Sequence, residues 1–264
     1  MQHTLLSTVF AMTNDPATSA SGSIWTRPAR LARGPVPEHS AAEIARAAIG
    51  LADSEGLRAV TMRAVASAIG TAPASLYRYV NTRSEVLELM ADQAAGEYKL
   101  EEPGTGEPVT DLLALAHQVL AVYRRHPWLL EIPPAAGLPG PNALAYMEHI
   151  LATLSGTAMS RYRKLELIGL FGGMIRAFAQ MEAEQQRAGQ DAAQWQELVA
   201  GYLIQVAADG QHPHLAAVLG VPPEDDDALA QEPIFDRALT RILTALLPER
   251  DSGGRHARGS RDLG

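Results

Sequence analysis

Cysteine is missing from all 264 residues, which excludes a disulfide framework, a thiolate metal site and a sulfur nucleophile. No apolar run approaches the roughly 18 residues that a membrane-spanning helix requires, so a membrane is not an expected partner. Strand-like alternation and internal repeats are absent too. Residues 1–23 open on a short apolar stretch with no positive leading segment, which is not a secretory signal, and a cytoplasmic, nucleoid-associated location is expected. No Ser, His and Asp fall at a spacing that suggests nucleophilic catalysis, so no enzyme is expected. Apart from the pair His212 and His214, no two histidines lie at ligand spacing with a carboxylate, and no metal or cofactor is assigned.

The most informative absence is local. From Arg58 to Arg83 the chain reads RAVTMRAVASAIGTAPASLYRYVNTR, with four arginines and no Asp or Glu, inside a protein of formal net charge -8. Residues 24–100 carry nine Lys/Arg against eight Asp/Glu, whereas residues 101–264 carry thirteen against twenty-one. The acid therefore lies in the second part of the chain. Hydrophobic content of 47% with 20% charged residues describes an ordinary globular chain.

Within the acid-free stretch the apolar residues follow two short helical patterns: Met62, Val65, Ala66 and Ile69, then Leu76 and Val80. Thr61 is placed to cap the first, Gly70 to end it, and Pro73 to open the second, expected over Pro73 to Val80. Two short helices around a tight turn make a helix-turn-helix. With Leu76 and Val80 turned inward, Ser75, Arg78 and at least one of Tyr77 and Tyr79 face outward. Hydroxyls, an arginine and small residues suit a DNA groove, offering donors to phosphates and little bulk against bases. A plain helical hairpin with a solvated basic face fits the spacing equally well.

The segment EIARAAIGLADSEGLRAVTMRAVASAIGTAPASLYRYVNTRSEVLELM resembles the DNA-binding domain of the TetR family of bacterial transcriptional repressors. The shared features are the Asp53 to Gly56 turn, Thr61 with Arg63, the Ala-Ile-Gly turn, Ser-Leu-Tyr-Arg-Tyr-Val at 75–80, and Arg83. The resemblance implies that Arg63 lies near a base edge or a phosphate, that Pro73, Ala74 and Ser75 meet base edges, and that Thr61, Tyr77, Tyr79 and Arg83 meet phosphates. Ala72 departs from the family, which often has a polar reader there, so that shape and methyl contacts gain weight. The last helix and the preceding HPHLAAVL resemble the tetracycline-repressor-like second domain. That implies a homodimer on a palindromic double-stranded DNA operator and a small-molecule effector. A same-fold activator or architectural protein without an effector is the alternative.

The whole chain is expected to be all-α. Residues 1–39 read as a disordered tail and basic arm, 40–100 as the helix-turn-helix domain with its connector helix, 101–248 as a helical ligand-binding and dimerisation domain, and 249–264 as a disordered tail. Ser40 with Glu43 forms a capping box for the first helix. The longest helix, from Ser160 to Ala188, carries two apolar stripes and so needs two partners. One stripe, with Leu165, Ile168, Gly172 and Ile175, is assigned to a dimer interface together with Phe235, Leu239, Ile242 and Leu246 of the last helix. The glycines at 169, 172 and 173 are attributed to tight helix contact. A surplus of large, adaptable side chains, Trp128, Tyr146, Met147, Phe171, Met174, Phe178 and Trp195, is expected to line a pocket for a largely apolar ligand.

Overall fold

The computed structural model describes residues 23–26, 39–100, 104–133, 137–219 and 233–247. The basic arm from 27 to 38, the acidic loop before the last helix, and the tail from 249 lie outside the described residues. All regular structure among the described residues is helical.

Helix α1 (Ala41–Glu55) begins where expected: Glu43 N–H donates to Ser40 Oγ, and the Glu43 carboxylate accepts from the Ser40 N–H. Its buried face is Ile44, Ala45, Ala48 and Ala52. Helix α2 (Met62–Ala68) starts at Thr61, whose Oγ1 accepts the Ala64 N–H at 3.1 Å. It stops as Gly70 takes φ of 72°, a left-handed angle that costs a Cβ-bearing residue energy. Helix α3 (Pro73–Leu76) is shorter than the eight residues expected from the sequence. From Leu76 on the turn tightens, with Arg78 N–H donating to Ser75 O and Tyr79 N–H to Leu76 O, before Val80 closes a wider bond back to Leu76 O. Leu76 and Val80 are fully buried, and this anchorage holds a segment too short to be stable alone. Helix α4 (Arg83–Ala95), the connector, is capped by Thr82 and buries Val86, Leu89, Met90 and Ala94.

The second part contains α5 (Pro108–Arg125), a 3-10 turn at Pro127–Glu131, α6 (Pro141–Thr153), α7 (Arg161–Ala208), α8 (Pro213–Leu219) and α9 (Ile234–Leu246). Gly189 breaks α7 with φ of 55° and ψ of -132°, so its two halves are separate helices in effect, as two distinct apolar patterns suggest. One buried cluster joins α1 to α4 with Val122, Trp128 and Ile132. A second joins α5, α6, the first half of α7, and α9.

Three expectations need correction here. The buried line of α7 is Leu167, Phe171, Ile175 and Ala179, residues four apart that cut across both stripes read from the sequence. Ile175, Phe235 and Leu239 are consequently buried in the protomer's own core and have no surface left for a partner, while Leu165, Ile168, Gly172 and Leu246 are half-buried. Nor do the α7 glycines mark a tight contact within the chain: a Cβ at 169, 172 or 173 would meet nothing within 4 Å.

A third correction concerns the leading segment. Ile24–Thr26, expected in a free tail, forms a 3-10 turn whose Ile24 and Trp25 pack on the first cluster, and Ser23 Oγ donates to Glu88 Oε2 of α4 at 2.5 Å. Trp25 reaches Gly140, at the entrance to α6. A Cβ there would run into both the indole and the Asp92 carboxylate of α4. Asp92 is buried and ties the two helices, accepting from the N–H groups of Asn142 and Ala143 at 3.0 Å each. Gly140→Ala is therefore expected to destabilise the protein by about 1–3 kcal/mol through overpacking. Thermal melts read this directly, with Gly156→Ala, in open space, as the control.

Candidate nucleic-acid interface and its link to the second domain

The outward surface of the helix-turn-helix carries Thr61, Arg63, Ala72, Pro73, Ala74, Tyr77 and Arg78, all exposed, with Ser75 half-buried between them. Tyr77 is 52% exposed although its neighbour Leu76 is wholly buried, so its ring is available to a partner. No carboxylate occurs in the stretch that supplies these residues, and the face is electropositive within an acidic protein. Ala72, Pro73 and Ala74 sit at the start of α3, where small side chains let the backbone approach a groove closely.

Two residues expected on phosphates have structural duties as well. Arg83 Nε donates to Val60 O and Nη2 to Leu57 O, each at 2.7 Å, pinning the turn between α1 and α2 to the start of α4. Two of its five N–H groups are thereby used. Tyr79 is half-buried, its hydroxyl accepting the His39 N–H at 3.3 Å and its ring meeting the His39 ring edge-on. Helical periodicity offered no sign of these hydrogen bonds, because each is made to a backbone group: the Leu57 and Val60 carbonyls for Arg83, and the His39 N–H for Tyr79.

The link to the second domain is polar, with His126 and Trp128 buried and their carboxylate partners Asp53 and Glu97 at the surface. Trp128 Nε1 donates to Asp53 Oδ1 at 2.6 Å, and His126 Nδ1 lies 2.8 Å from the same oxygen. His126 Nε2 lies 2.9 Å from Glu97 Oε1, and Arg125 pairs with the other Glu97 oxygen. The two imidazole contacts are both hydrogen bonds only when each ring nitrogen carries a proton. From the other side, Arg176 of α7 donates to the carbonyls of Leu129, Leu130 and Ile132 at 3.1, 2.6 and 3.0 Å. The Pro127–Glu131 turn is thus gripped by α1, the end of α4, and α7.

The seven residues expected to line a ligand pocket do not come together. Trp128 is committed to the Asp53 junction in the first cluster, Phe171 is buried in the second, and Trp195 is 64% exposed on the far half of α7. Met174, Phe178 and Tyr146 pack at the edge of the second cluster, and Met147 is half-buried on α6. Size and apolarity alone did not distinguish core from pocket. Among the described residues, a cleft of about 220 Å³ lies between α5 and α7, lined by Tyr123, Arg124, Pro127, Ala179, Glu182, Ala183, Gln186 and Arg187. Arg124 makes two bonds of 2.8 Å to the Glu182 carboxylate, which holds that acid below its usual range.

Comparison with known proteins now bears on this arrangement. Residues 44–90 match the family described as bacterial regulatory proteins, tetR family, and residues 100–247 match the tetracyclin repressor-like C-terminal domain. The chain belongs to the TetR family. It is a transcriptional regulator, not an enzyme. The HTH-type transcriptional repressor DrrR1 of Streptomyces coeruleorubidus is 35% identical over 216 residues, covering 76% of this chain and 79% of that one. The ActR structure from Streptomyces coelicolor in complex with actinorhodin superposes with a TM-score of 0.66 at 25% identity, covering 80% of this chain and 96% of ActR. Apo ActR gives 0.60 at 25% identity, over 81% of this chain and 97% of that one. Among the described residues of this TetR chain, no helix is long and apolar enough to cross a membrane.

Two predictions follow from the geometry. Arg83→Ala is expected to lower stability by about 1–3 kcal/mol by removing two charge-assisted bonds, whereas Arg63→Ala, whose side chain is exposed, stays within about 0.5 kcal/mol of the parent. Urea unfolding of the free proteins separates the two. Burial raises the phenols of Tyr98 and Tyr146 above their ordinary value of 10, with neighbouring tyrosines adding to the shift. A group whose folded value is raised contributes stability that is full below the unfolded value and lost as pH climbs past it. The melting temperature should thus fall above pH 10, and fall less steeply in a Tyr98→Phe, Tyr146→Phe double variant.

Proposed function

We propose that this regulator is a repressor that binds a near-palindromic operator as a homodimer and leaves it when a small, largely apolar molecule enters the second domain. The observation that carries the reading is the bonding of α4. This helix begins beside the exposed reading face, where Arg83 holds it to the α1–α2 turn, and it is tied to α6 through Asp92. Just past its end, Glu97 meets His126 of the second part. A ligand that prefers one packing of α5 to α7 would bias the position of α4 and, in a dimer, the separation of two reading faces. DrrR1, by its name a repressor, and ActR, solved with actinorhodin bound, support both halves of the proposal.

The dimer face is revised by the burial pattern. On α7 the exposed side presents Gly169, Leu170, Gly173 and Met181, and on α9 it presents Ile234 and Ile242. Open space over the glycines leaves room for a partner helix to come close. A cleft of about 220 Å³ is smaller than most drug-sized pockets. That is the observation favouring the alternative, a DNA-binding protein of the same fold with no effector.

The DNA-binding residues named from the resemblance stand as part of the proposal. Arg63→Ala and Tyr77→Ala are expected to lower affinity for duplex DNA; an Arg63 that reads a base would also relax sequence preference by about 1–3 kcal/mol. Fluorescence anisotropy on operator and random duplexes across a salt series measures both effects, and unchanged binding by both variants would overturn the interface. Ile242→Glu and Leu170→Glu should shift the protein toward monomer in sedimentation velocity. An effector that works as proposed weakens operator binding about 5- to 150-fold, and operator must weaken effector binding by the same factor. Equal effector affinities with and without operator would leave the effector-free alternative.

A further inference from the structure

We propose that the segment from Ser23 to Thr26 is an autoinhibitory strap: docked, it braces the connector helix α4 against the entrance of α6, and it lifts off when the protein grips duplex DNA. The strap acts through the same helix as the effector described above, and rests on that reading's premise that the position of α4 governs DNA binding.

The segment lies ahead of residues 44–90 and 100–247, the two stretches that match the family, so it is extra to the shared two-domain fold. Its contacts span the boundary between α4 and α6. Ser23 Oγ donates to Glu88 Oε2 of α4 at 2.5 Å. Thr26 folds back, its N–H and its Oγ1 donating to Ser23 O at 3.1 and 3.0 Å. Between them, Ile24 and Trp25 pack on the first cluster. Next to the strap, α4 and the loop before α6 meet closely. The Glu88 side chain fills the space that a Cβ on Gly137 would take, while Asp92 and the Trp25 ring fill that of Gly140. Asp92 then accepts from the N–H groups of Asn142 and Ala143 at the start of α6. A strap seated on Glu88 and Gly140 therefore adds a second tie, beside Asp92, between the helix that begins at the reading face and the second domain.

One atom marks the second tie as the breakable one. Trp25 Nε1 is shut away from water and has no acceptor among the described residues. An indole N–H that donates to water when the strap is off loses that bond on docking, which cancels part of what Ile24 and Trp25 gain by burial. The Asp92 tie carries no such penalty: Oδ1 accepts the two backbone N–H groups, and Oδ2 accepts Asn142 Nδ2 at 3.1 Å. When α4 shifts against α6, the strap is thus the tie given up first. A restraint present in one packing of α4 and absent in the other weakens the binding of whatever needs the other packing. Bringing two reading faces into register on a duplex requires α4 to move, so the docked strap works against DNA binding.

The test uses the full chain and a duplex that the parent protein has itself selected from a random pool. Trp25→Ala is expected to bind that duplex about 5-fold or more tightly than the parent, with the same salt slope, because no phosphate contact changes. Trp25→Phe, which keeps an aromatic anchor, should restore binding close to that of the parent. Thermal melts verify that both variants fold. A second measurement is made on the parent, with 5-fluorotryptophan at its three tryptophans. The Trp25 fluorine resonance is identified by its loss in Trp25→Phe, and its H2O/D2O isotope shift reports exposure. Saturating duplex should raise that shift toward the value of the exposed Trp195, while Trp128 stays buried. Unchanged or weaker DNA binding by Trp25→Ala overturns the proposal, as does a Trp25 isotope shift that duplex leaves unaltered. A parent that retains no duplex overturns the regulator reading and the strap together, whereas tight DNA binding with a silent Trp25 sinks the strap alone.

Discussion

The structure turns on one carboxylate. Asp53, in the last turn of α1, receives the indole N–H of Trp128 and faces the imidazole of His126 through a single oxygen. Both donors stand just beyond α5, so the two helical clusters meet at this oxygen. The contact is polar, directional and partly shielded from water, its two donors buried and the carboxylate reaching the surface, which makes it sensitive to position in a way that an apolar contact is not. A shift of α5 or α7 by part of an ångström would lengthen these bonds before it disturbed either core. Packed cores resist gradual deformation, and an interface held by a few directional bonds is where movement between two arrangements is best accommodated.

Around that point the helices divide their labour. Leu76 and Val80 lock the reading segment into the first cluster, and Arg83 closes the loop behind it with bonds to Leu57 O and Val60 O. In the second part, Arg176 grips the carbonyls of the Pro127–Glu131 turn, while Asp92 caps the start of α6. Each tie joins a side chain to backbone groups of a distant element. Such ties satisfy polar groups that would otherwise be buried unpaired, and they also fix the angles at which the helices cross.

Much of this was legible from the residues, and the limits have physical causes. The Ser40 and Glu43 cap, the Thr61 cap, the Gly70 stop and the Pro73 start are local rules, readable because each depends on a few neighbours. The acid-free stretch marked the reading face for the same reason. The pocket and dimer assignments required knowing which of several apolar faces turns inward, and periodicity could not rank them. Along α7, residues at spacing three and at spacing four both form stripes, and only the positions of α5 and α9 decide that Leu167, Phe171, Ile175 and Ala179 are inside. Trp128 was misassigned because an aromatic beside His126 looks the same in sequence whether it lines a cavity or reaches across to Asp53.

The brevity of α3 has an evolutionary side. Its two anchors, Leu76 and Val80, are sealed in the core, while the side chains of Ala72 and Ala74 project from it. Change at these projecting positions is therefore uncoupled from folding stability. If, as proposed, these positions read the operator, a lineage could exchange one operator for another by substituting them singly, without a compensating change elsewhere, and the DNA sequence addressed would drift faster than the scaffold.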